Sequence, residues 1–484
     1  MSHQLPILLF LLPFIGGVAL PLVTAKNRAL AQPLTLLIMG LLVVLAAINL
    51  SVVLSTGSIH YALGGWAAPI GIAWLDDPLA AVVVLTISGV SLLSLLYGRL
   101  VVPSKLRQST PYYTLILLML SGLVGIVFAA DLFNIFVFLE LAALPAYALV
   151  GIGGGKALVY AYRYLLLSSF GATLYLLGVG HLYAATGTLN MADLAQRLPS
   201  LMTSTAVVGG LSFLFLGLAI KMALLPLHTW LPDAYEKAPS SVAPLLASTI
   251  TKVAIVAWVR IEYSLITPGV EVSHVPVLVF LEDLGIIAAI LGGALALIQT
   301  DIKRMFAYGG IGHIGLILIG ASLGNSTAFA GAMFYLINDA VMQAALFMLA
   351  GALVHYYRAH TLDQLRQAST RSAWLSSVLI IVAISMVGLP PTGGFFGKWN
   401  IILGALQEQH YLAAFAVVAS TLLTLAYFVK VFAAWFHQPS GHTARAAVVP
   451  PSLGFSMGSA AAAMILLGLF SDPVFQFLLA STGA

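Results

Sequence analysis

Fourteen apolar runs follow one another along this chain, each long enough to cross a bilayer, with only short polar stretches between them. They fall at about 5–24, 30–54, 77–100, 112–130, 132–152, 159–185, 205–224, 242–264, 276–298, 306–323, 327–357, 372–390, 411–436 and 448–470. Crossing the hydrocarbon core takes roughly 20 residues of helix. Without water to satisfy backbone polar groups, runs of this length must pair those groups internally, as α-helices do. Only 7% of the residues are charged, against about 25% in an ordinary soluble protein, so lipid must cover the surface. The run at 327–357 is long enough to tilt or to end in an interfacial segment. The stretches at 55–76 and 393–408 are too polar or too broken to count as clean spans. The N-terminal run lacks a basic leader region and a small-residue cleavage site, so it reads as a first span and not as a signal peptide. The expectation is an all-α polytopic membrane protein of about 14 transmembrane helices, forming one membrane domain over 1–484.

Several function classes fall away. The chain has no cysteine, which excludes disulfides, iron–sulfur clusters, thiolate zinc sites and covalently attached haem. A haem-binding electron carrier needs facing histidine ligands, yet His181, His228, His313 and His355 are spread over four helices without paired spacing. No redox centre for quinone reduction is encoded, and no cofactor is expected. The formal charge of +4 comes from basic residues scattered among loops, which does not suggest nucleic-acid binding.

Those basic residues orient the chain, because loops on the cytoplasmic side carry an excess of Lys and Arg. With the N-terminus outside, the inner loops receive Lys26, Arg28, Arg99, Lys105, Arg107, Lys156, Arg163, Lys237, Lys303, Arg304, Arg358, Arg366, Arg371 and Arg445. The outer side receives Arg197 and Arg260. Both termini are therefore expected on the outer side of a plasma membrane. Of the 20 Lys and Arg, four remain, lying in or beside the spans: Lys221, Lys252, Lys398 and Lys430.

A charge at the centre of a spanning helix costs roughly 2.5–3.5 kcal/mol on insertion scales, so it persists where a partner, a wet cavity or a transport path holds it. Glu140 lies about eight residues into the fifth run, and Lys252 about ten residues into the eighth. The bland alternatives are a protonated glutamate hydrogen-bonded in the bundle and a lysine held by backbone carbonyls; the functional reading is preferred for both. Lys221 precedes Pro226 and Pro232 in IKMALLPLHTWLPDAYEKAP. Each proline removes a helix hydrogen bond, and backbone freed at membrane depth is tolerated where protein or trapped water satisfies it again. Lys398 follows a similar break at Pro390, Pro391, Gly393 and Gly394 in GLPPTGGFFGKW. Lys430 sits about nineteen residues into its run, where snorkelling to the inner interface accounts for it. Asp339, with Gln343 one turn on, is deep and polar, and is either a packed polar group or part of a path. His228 and His313 titrate in the right range for proton transfer, but lone histidines are as often packing residues.

The order of spans carries a symmetry. Spans four to eight (112–264) begin inside and spans nine to thirteen (276–436) begin outside. The fourth helix of each five-helix unit, span seven and span twelve, is broken and carries a lysine. Broken helices in corresponding positions of inverted repeats point to a transport site.

The stretch KMALLPLHTWLPDAYEKAPSSVAPLLASTITKVAIVAWVR, with DIKRMFAYGGIGHIG, NDAVMQAALFMLAGALVH and GLPPTGGFFGKW, resembles the antiporter-like subunits shared by respiratory complex I, membrane-bound hydrogenases and Mrp-type multisubunit cation/proton antiporters. The phrases DLFNIFVFLE and NDAVMQAALFMLAG are most like the D subunit of Mrp antiporters. The resemblance covers essentially the whole chain. It implies a fourteen-helix core with inverted repeats of helices four to eight and nine to thirteen. It also implies other membrane subunits as partners, with protons and Na+ or another monovalent cation as cargo. By motif, Glu140 matches the glutamate of helix five, Lys221 its partner lysine on helix seven, Lys252 the central basic residue of helix eight, and Lys398 the terminal residue of helix twelve. Many relatives carry a lysine where this chain has Gln343, a departure that bears on the path between the two halves. The function implied is proton translocation through a buried Glu/Lys relay with waters, in a Na+(cation)/H+ antiporter or, alternatively, in a complex I-type or hydrogenase assembly. Buried lysine suits such a relay because burial disfavours its charge while a nearby carboxylate restores it.

Overall fold

The computed structural model describes residues 2–265, 276–367, 372–437 and 450–480. Arg371 and Arg445, counted above for orientation, lie outside the described residues. The chain opens with α1 (Leu5–Val23) and α2 (Ala31–Thr56), followed by a ribbon of β1 (Ile59–Ala62) and β2 (Ala73–Asp76). Next come α3 (Pro78–Val101), α4 (Ser104–Arg107), α5 (Thr110–Phe128), α6 (Leu132–Gly151), α7 (Lys156–Thr186) and α8 (Met191–Arg197). The middle holds α9 (Thr205–Lys221), α10 (Trp230–Lys237), α11 (Ala243–Leu265), α12 (Pro276–Ile298), α13 (Ile302–Ser322) and α14 (Ser326–Tyr357). The last elements are α15 (Leu362–Gln367), α16 (Ala373–Val387), α17 (Gly393–Gln407), α18 (Tyr411–Trp435), α19 (Pro451–Leu469) and α20 (Ser471–Ala480).

Among the described residues, 11 helices are long and apolar enough to cross a membrane alone, and α19 with α20 forms a twelfth, bent by 70°. Two shorter apolar helices, α9 and α16, are each followed after a break by a further helix, α10 and α17, and these pairs correspond to the two broken spans of the sequence. The protein is a multi-pass, nearly all-helical membrane protein. The stretch at 393–408, too broken to count from sequence, forms α17, the second half of the second broken span. The stretch at 55–76 forms the antiparallel ribbon, with Ile59 opposite Asp76 and Ala62 opposite Ala73. Tyr61 of β1 donates its hydroxyl to Gln4, so the ribbon caps the bundle on the face of the N-terminus.

Burial grades the helices. α11 and α14 are almost wholly enclosed by protein, α13 nearly so, while α1 and α2 bury less than a third of their span. α11, α13 and α14 are also among the less apolar helices, since a helix shielded from lipid can carry polar side chains. α14, at 32 residues, is about 48 Å long at the usual helical rise. It packs against α3, α11, α13, α16, α17 and α19.

Loop carboxylates and amides start the helices cleanly. Asp77 accepts from Ala80 N at the head of α3, Asp131 from Asn134 N at α6, Asp301 from Arg304 N at α13 and Asn325 from Ala328 N at α14. Each satisfies a backbone donor that has no partner inside its helix.

Candidate functional site

The first break sets the position of Lys221. α9 ends at this residue, Met222 caps it, and Ala223 turns the backbone into the left-handed region with φ 58°. The carbonyl of Ile220 accepts from Ala223 N at 3.1 Å and from the indole Nε1 of Trp230 at 2.9 Å, and Leu224 N donates back to Ala219 O. The ammonium of Lys221 is thereby left free to reach α6, where it donates to Glu140 Oε1 at 2.8 Å. The lysine is 6% exposed and the glutamate 26%.

The second break is built differently. α16 closes on Gly388, whose φ of 85° suits glycine. A Cβ on Gly394 would meet the Ser385 carbonyl at 1.8 Å, so α17 begins in close contact with the end of α16. Lys398, one turn into α17, donates to the terminal carbonyls of α16, Met386 O at 2.8 Å and Val387 O at 3.2 Å, and to Thr421 Oγ1 at 3.3 Å. These carbonyls have no intrahelical donor and stand at the negative end of the helix dipole. Lys221 thus sits before its break with a carboxylate partner, and Lys398 sits after its break with carbonyl partners.

Between them lies a cluster that is entirely buried. Lys252 of α11 places its Nζ 2.7 Å from Asp339 Oδ2 of α14 and 2.9 Å from its own helix's Ala247 O. The other oxygen of Asp339 meets His313 Nδ1 of α13 at 2.7 Å, and Gln343 Nε2 donates to it at 3.4 Å. Asp339 therefore joins three helices, with one carboxylate oxygen for the lysine and one for the histidine. Tyr335, one turn before Asp339, has its ring 5.5 Å from the His313 ring and 5.8 Å from Lys398 Nζ. It stands between the central cluster and Lys398.

Other residues fall elsewhere. His228 lies in the first break, half-buried, its ring 6.0 Å from Tyr308 of α13; no bond joins it to Glu140, Lys221 or Lys252 among the described residues. Lys430 donates to Leu297 O and Gln299 O, at the end of α12, so it caps a helix where snorkelling was expected. Arg260, counted from sequence on the outer side, is buried in α11 and pairs with Asp77 at 3.2 Å. Among the described residues no group of three or more His, Asp or Glu is arranged to hold a metal ion.

A charged knot holds the second half of the first broken span. Asp233 of α10 pairs with Arg163 of α7 at 3.1 Å and with Arg304 of α13 at 2.7 Å, while Glu236 pairs with Arg304 at 3.0 Å and touches Lys237. Lys303 donates to Ala238 O. Asp233 and Tyr335 were not singled out from sequence. The signal for Tyr335 was its i, i+4 spacing to Asp339, which puts both on one helix face.

Residues 129–424 match the family described as NADH:quinone oxidoreductase/Mrp antiporter, transmembrane. The chain belongs to this family. It is 35% identical to the N subunit of the NADH-quinone oxidoreductase of Desulforudis audaxviator, covering 98% of this chain and 97% of that one. It is 33% identical to the D subunit of the Na(+)/H(+) antiporter of Alkalihalophilus pseudofirmus, covering 99% and 96%. A chain of the membrane-bound sulfane sulfur reductase, an archaeal respiratory membrane complex, superposes with a TM-score of 0.92 at 30% identity, covering 99% and 97%. As an antiporter-family member, the chain carries its buried charges in a setting built for membrane transport.

Proposed function

We propose that the chain is the proton-translocating subunit of a multisubunit Na+(cation)/H+ antiporter, working with other membrane subunits. The observation that carries this reading is the set of ammonium groups held at membrane depth: Lys221 on Glu140, Lys252 on Asp339 and His313, and Lys398 on the end of α16. Each is retained with a specific partner where an uncompensated charge is expensive. The likeness to the D subunit of an Na(+)/H(+) antiporter supports the assignment.

Glu140 holds a proton on Lys221. When the pair separates, the proton passes through trapped water to Lys252, whose charge is matched by Asp339, and then to Lys398. His313 shares the Asp339 carboxylate and takes up or yields a proton as Lys252 changes state. His228, half-buried in the first break, is with trapped water a further candidate to bridge the buried lysines. Spans four to eight (112–264) and nine to thirteen (276–436) act as inverted repeats, each contributing one broken helix, with both termini on the outer side of the plasma membrane.

A second reading has a specific support: the relative at 35% identity belongs to an NADH-quinone oxidoreductase. In that setting, as in a membrane-bound hydrogenase, the same relay is driven by redox chemistry in other subunits. Purifying the chain with its native neighbours and measuring cation-dependent proton flux in vesicles separates the two. Flux that requires Na+ or another monovalent cation, in a complex without redox subunits, supports the antiporter. Co-purification with flavin- or iron–sulfur-bearing subunits overturns it in favour of the second reading. The isolated chain is expected to transport little.

A further inference from the structure

The ribbon face of the bundle carries a buried acid that the relay does not use. Asp76 is the last residue of β2 and is fully buried, as is Asn49 of α2. Asn49 Nδ2 donates to Asp76 Oδ2 at 2.7 Å. The two remaining oxygens of the pair, Asp76 Oδ1 and Asn49 Oδ1, are both acceptors and both buried, and neither has a donor among the described residues. An unsatisfied buried acceptor is destabilising, and more so when it is charged. One proton on Asp76 would answer both defects: as Oδ1–H it could donate to Asn49 Oδ1 while Asn49 Nδ2 still donates to Oδ2, closing an acid–amide ring.

We propose that Asp76 is a proton-binding site on the ribbon face, completed by Asn49, and that its charge state is sensed by the Asp77–Arg260 ion pair, whose arginine lies on the helix that carries Lys252.

The surroundings fit a site that titrates. Burial raises the Asp76 carboxyl to about 7, against the lowering effect of the Asn49 hydrogen bond; neighbouring Asp77 raises it further and Arg260 of α11 lowers it. Relative to a free aspartate, the proton is held about a thousandfold more tightly. Other titratable groups nearby are His60 of β1, which opposes Leu75 and so faces the other side of the ribbon from Asp76, and Glu262, two residues beyond Arg260 on α11. Loss of the Asp76 proton adds a negative charge next to Asp77, and both then compete for one guanidinium. Arg260 is two turns from Lys252 on the same helix, and it also lines a cavity of about 350 Å³ on this face with His60, Trp74 and Asn190. A proton bound or released at Asp76 therefore changes the charge that faces Arg260 of α11.

The site is separate from the transport reading, and testing it does not require transport. The folded chain holds the Asp76 proton between pH 3.8 and about 7, where the unfolded chain has released it. Stability therefore falls as pH rises through that window and levels off above it. Between pH 5.5 and 7 the unfolding equilibrium of the purified complex should move by about fifteenfold from this group alone. The decisive variants are Asp76→Asn, which supplies the donor and acceptor of the closed ring without a titrating group, and the exchange Asn49→Asp with Asp76→Asn. The single variant should lose this step in the thermal unfolding midpoint, and the exchange should restore it. Should Asp76→Asn fail to fold, rescue by the exchange still reads out the acid–amide pair. A wild-type midpoint without the step, a step that survives in Asp76→Asn, or an exchange variant without it overturns the proposal. A midpoint indifferent to pH that rises with added Na+ would make the pair a cation site and overturn it equally.

Discussion

Asp339 offers the sharpest perturbation, because one carboxylate serves two helices. Its contact with Lys252 is 2.7 Å and that with His313 also 2.7 Å, and none of the three side chains is more than 3% exposed. Opposite unit charges at this separation attract by about 6 kcal/mol at an effective dielectric constant near 20. Desolvation offsets much of that gain, so the pair's net worth is far smaller. Removing one partner is different, because it leaves the other charge buried and alone, at a cost of about 3–5 kcal/mol. In Asp339→Leu the His313 ring also loses a hydrogen-bond partner, adding about 1–3 kcal/mol. Lys252→Met should cost about 3–5 kcal/mol by the same reasoning. The double variant leaves no stranded charge, so its loss should fall short of the sum of the singles by at least 2 kcal/mol or so, within the range of coupling between contacting residues.

The assay is a double-mutant cycle on the unfolding of the purified complex, with flux measured in parallel. Asp339→Asn preserves shape and hydrogen bonding while removing the charge, and should lower proton flux at least about tenfold, equivalent to 1.4 kcal/mol. Additivity of the two single substitutions within about 0.5 kcal/mol, together with unimpaired flux in Asp339→Asn, would refute the reasoning: Lys252 would then be held by Ala247 O and not by Asp339.

Three further outcomes are expected. Glu140→Ala and Lys221→Ala should each abolish cation-dependent proton flux in vesicles bearing the assembled complex, while Glu140→Asp retains part of it; wild-type flux in both alanine variants would remove this pair from the path. Lys430→Ala should leave flux within about twofold but lower stability by roughly 1–2 kcal/mol, the worth of its hydrogen bonds to the end of α12; a large flux loss at normal assembly would place Lys430 on the path. With both termini outside, a cysteine at Ser200 should react with a membrane-impermeant thiol reagent in intact cells and one at Gln108 should not, both positions being exposed; the reverse pattern would invert the topology.

Length and apolarity made the spans legible in the sequence, since a bilayer imposes both. The halves of the broken helices were less so: α17 opens with GGFFGK, a composition that reads as loop until Ser385 O and Tyr335 are seen pressed against Gly394 and Gly397. Buried charges were visible one at a time because lipid rejects them, and Glu140 and Lys221 could be paired by family motif. The union of Lys252, His313 and Asp339 was not legible, because it depends on how α11, α13 and α14 face one another, and no local spacing records that. The same holds for Asn49 and Asp76, which come from a lipid-facing helix and a ribbon. Arg260 could be counted on one side from its position near a span end, which fits snorkelling as well as burial, and only Asp77 across the interface shows that it is buried.

The two broken helices, alike in sequence, hold their lysines in ways that suit different stations of the proposed relay. If Lys221 gives up its proton while Glu140 stays ionised, a carboxylate is left behind at membrane depth with its partner gone, and that is costly. Release from Lys221 must therefore be coupled to movement or neutralisation of Glu140. Lys398 has no such counter-ion among its hydrogen-bond partners: it rests on Met386 O, Val387 O and Thr421. Its deprotonation breaks no direct ion pair. The carbonyl dipoles bonded to it pull with about half an elementary charge at a helix end, and the nearest carboxylate acting on it is Asp339 of the central cluster. In the proposed relay, a lysine paired with a carboxylate at one end and one held by carbonyls at the other would set a direction. Asp339, shared between Lys252 and His313, lets the middle station change protonation state without losing its only anion. The placement of a single carboxylate on α14, within reach of α11 and α13 and one turn from Tyr335, is what joins the two ends.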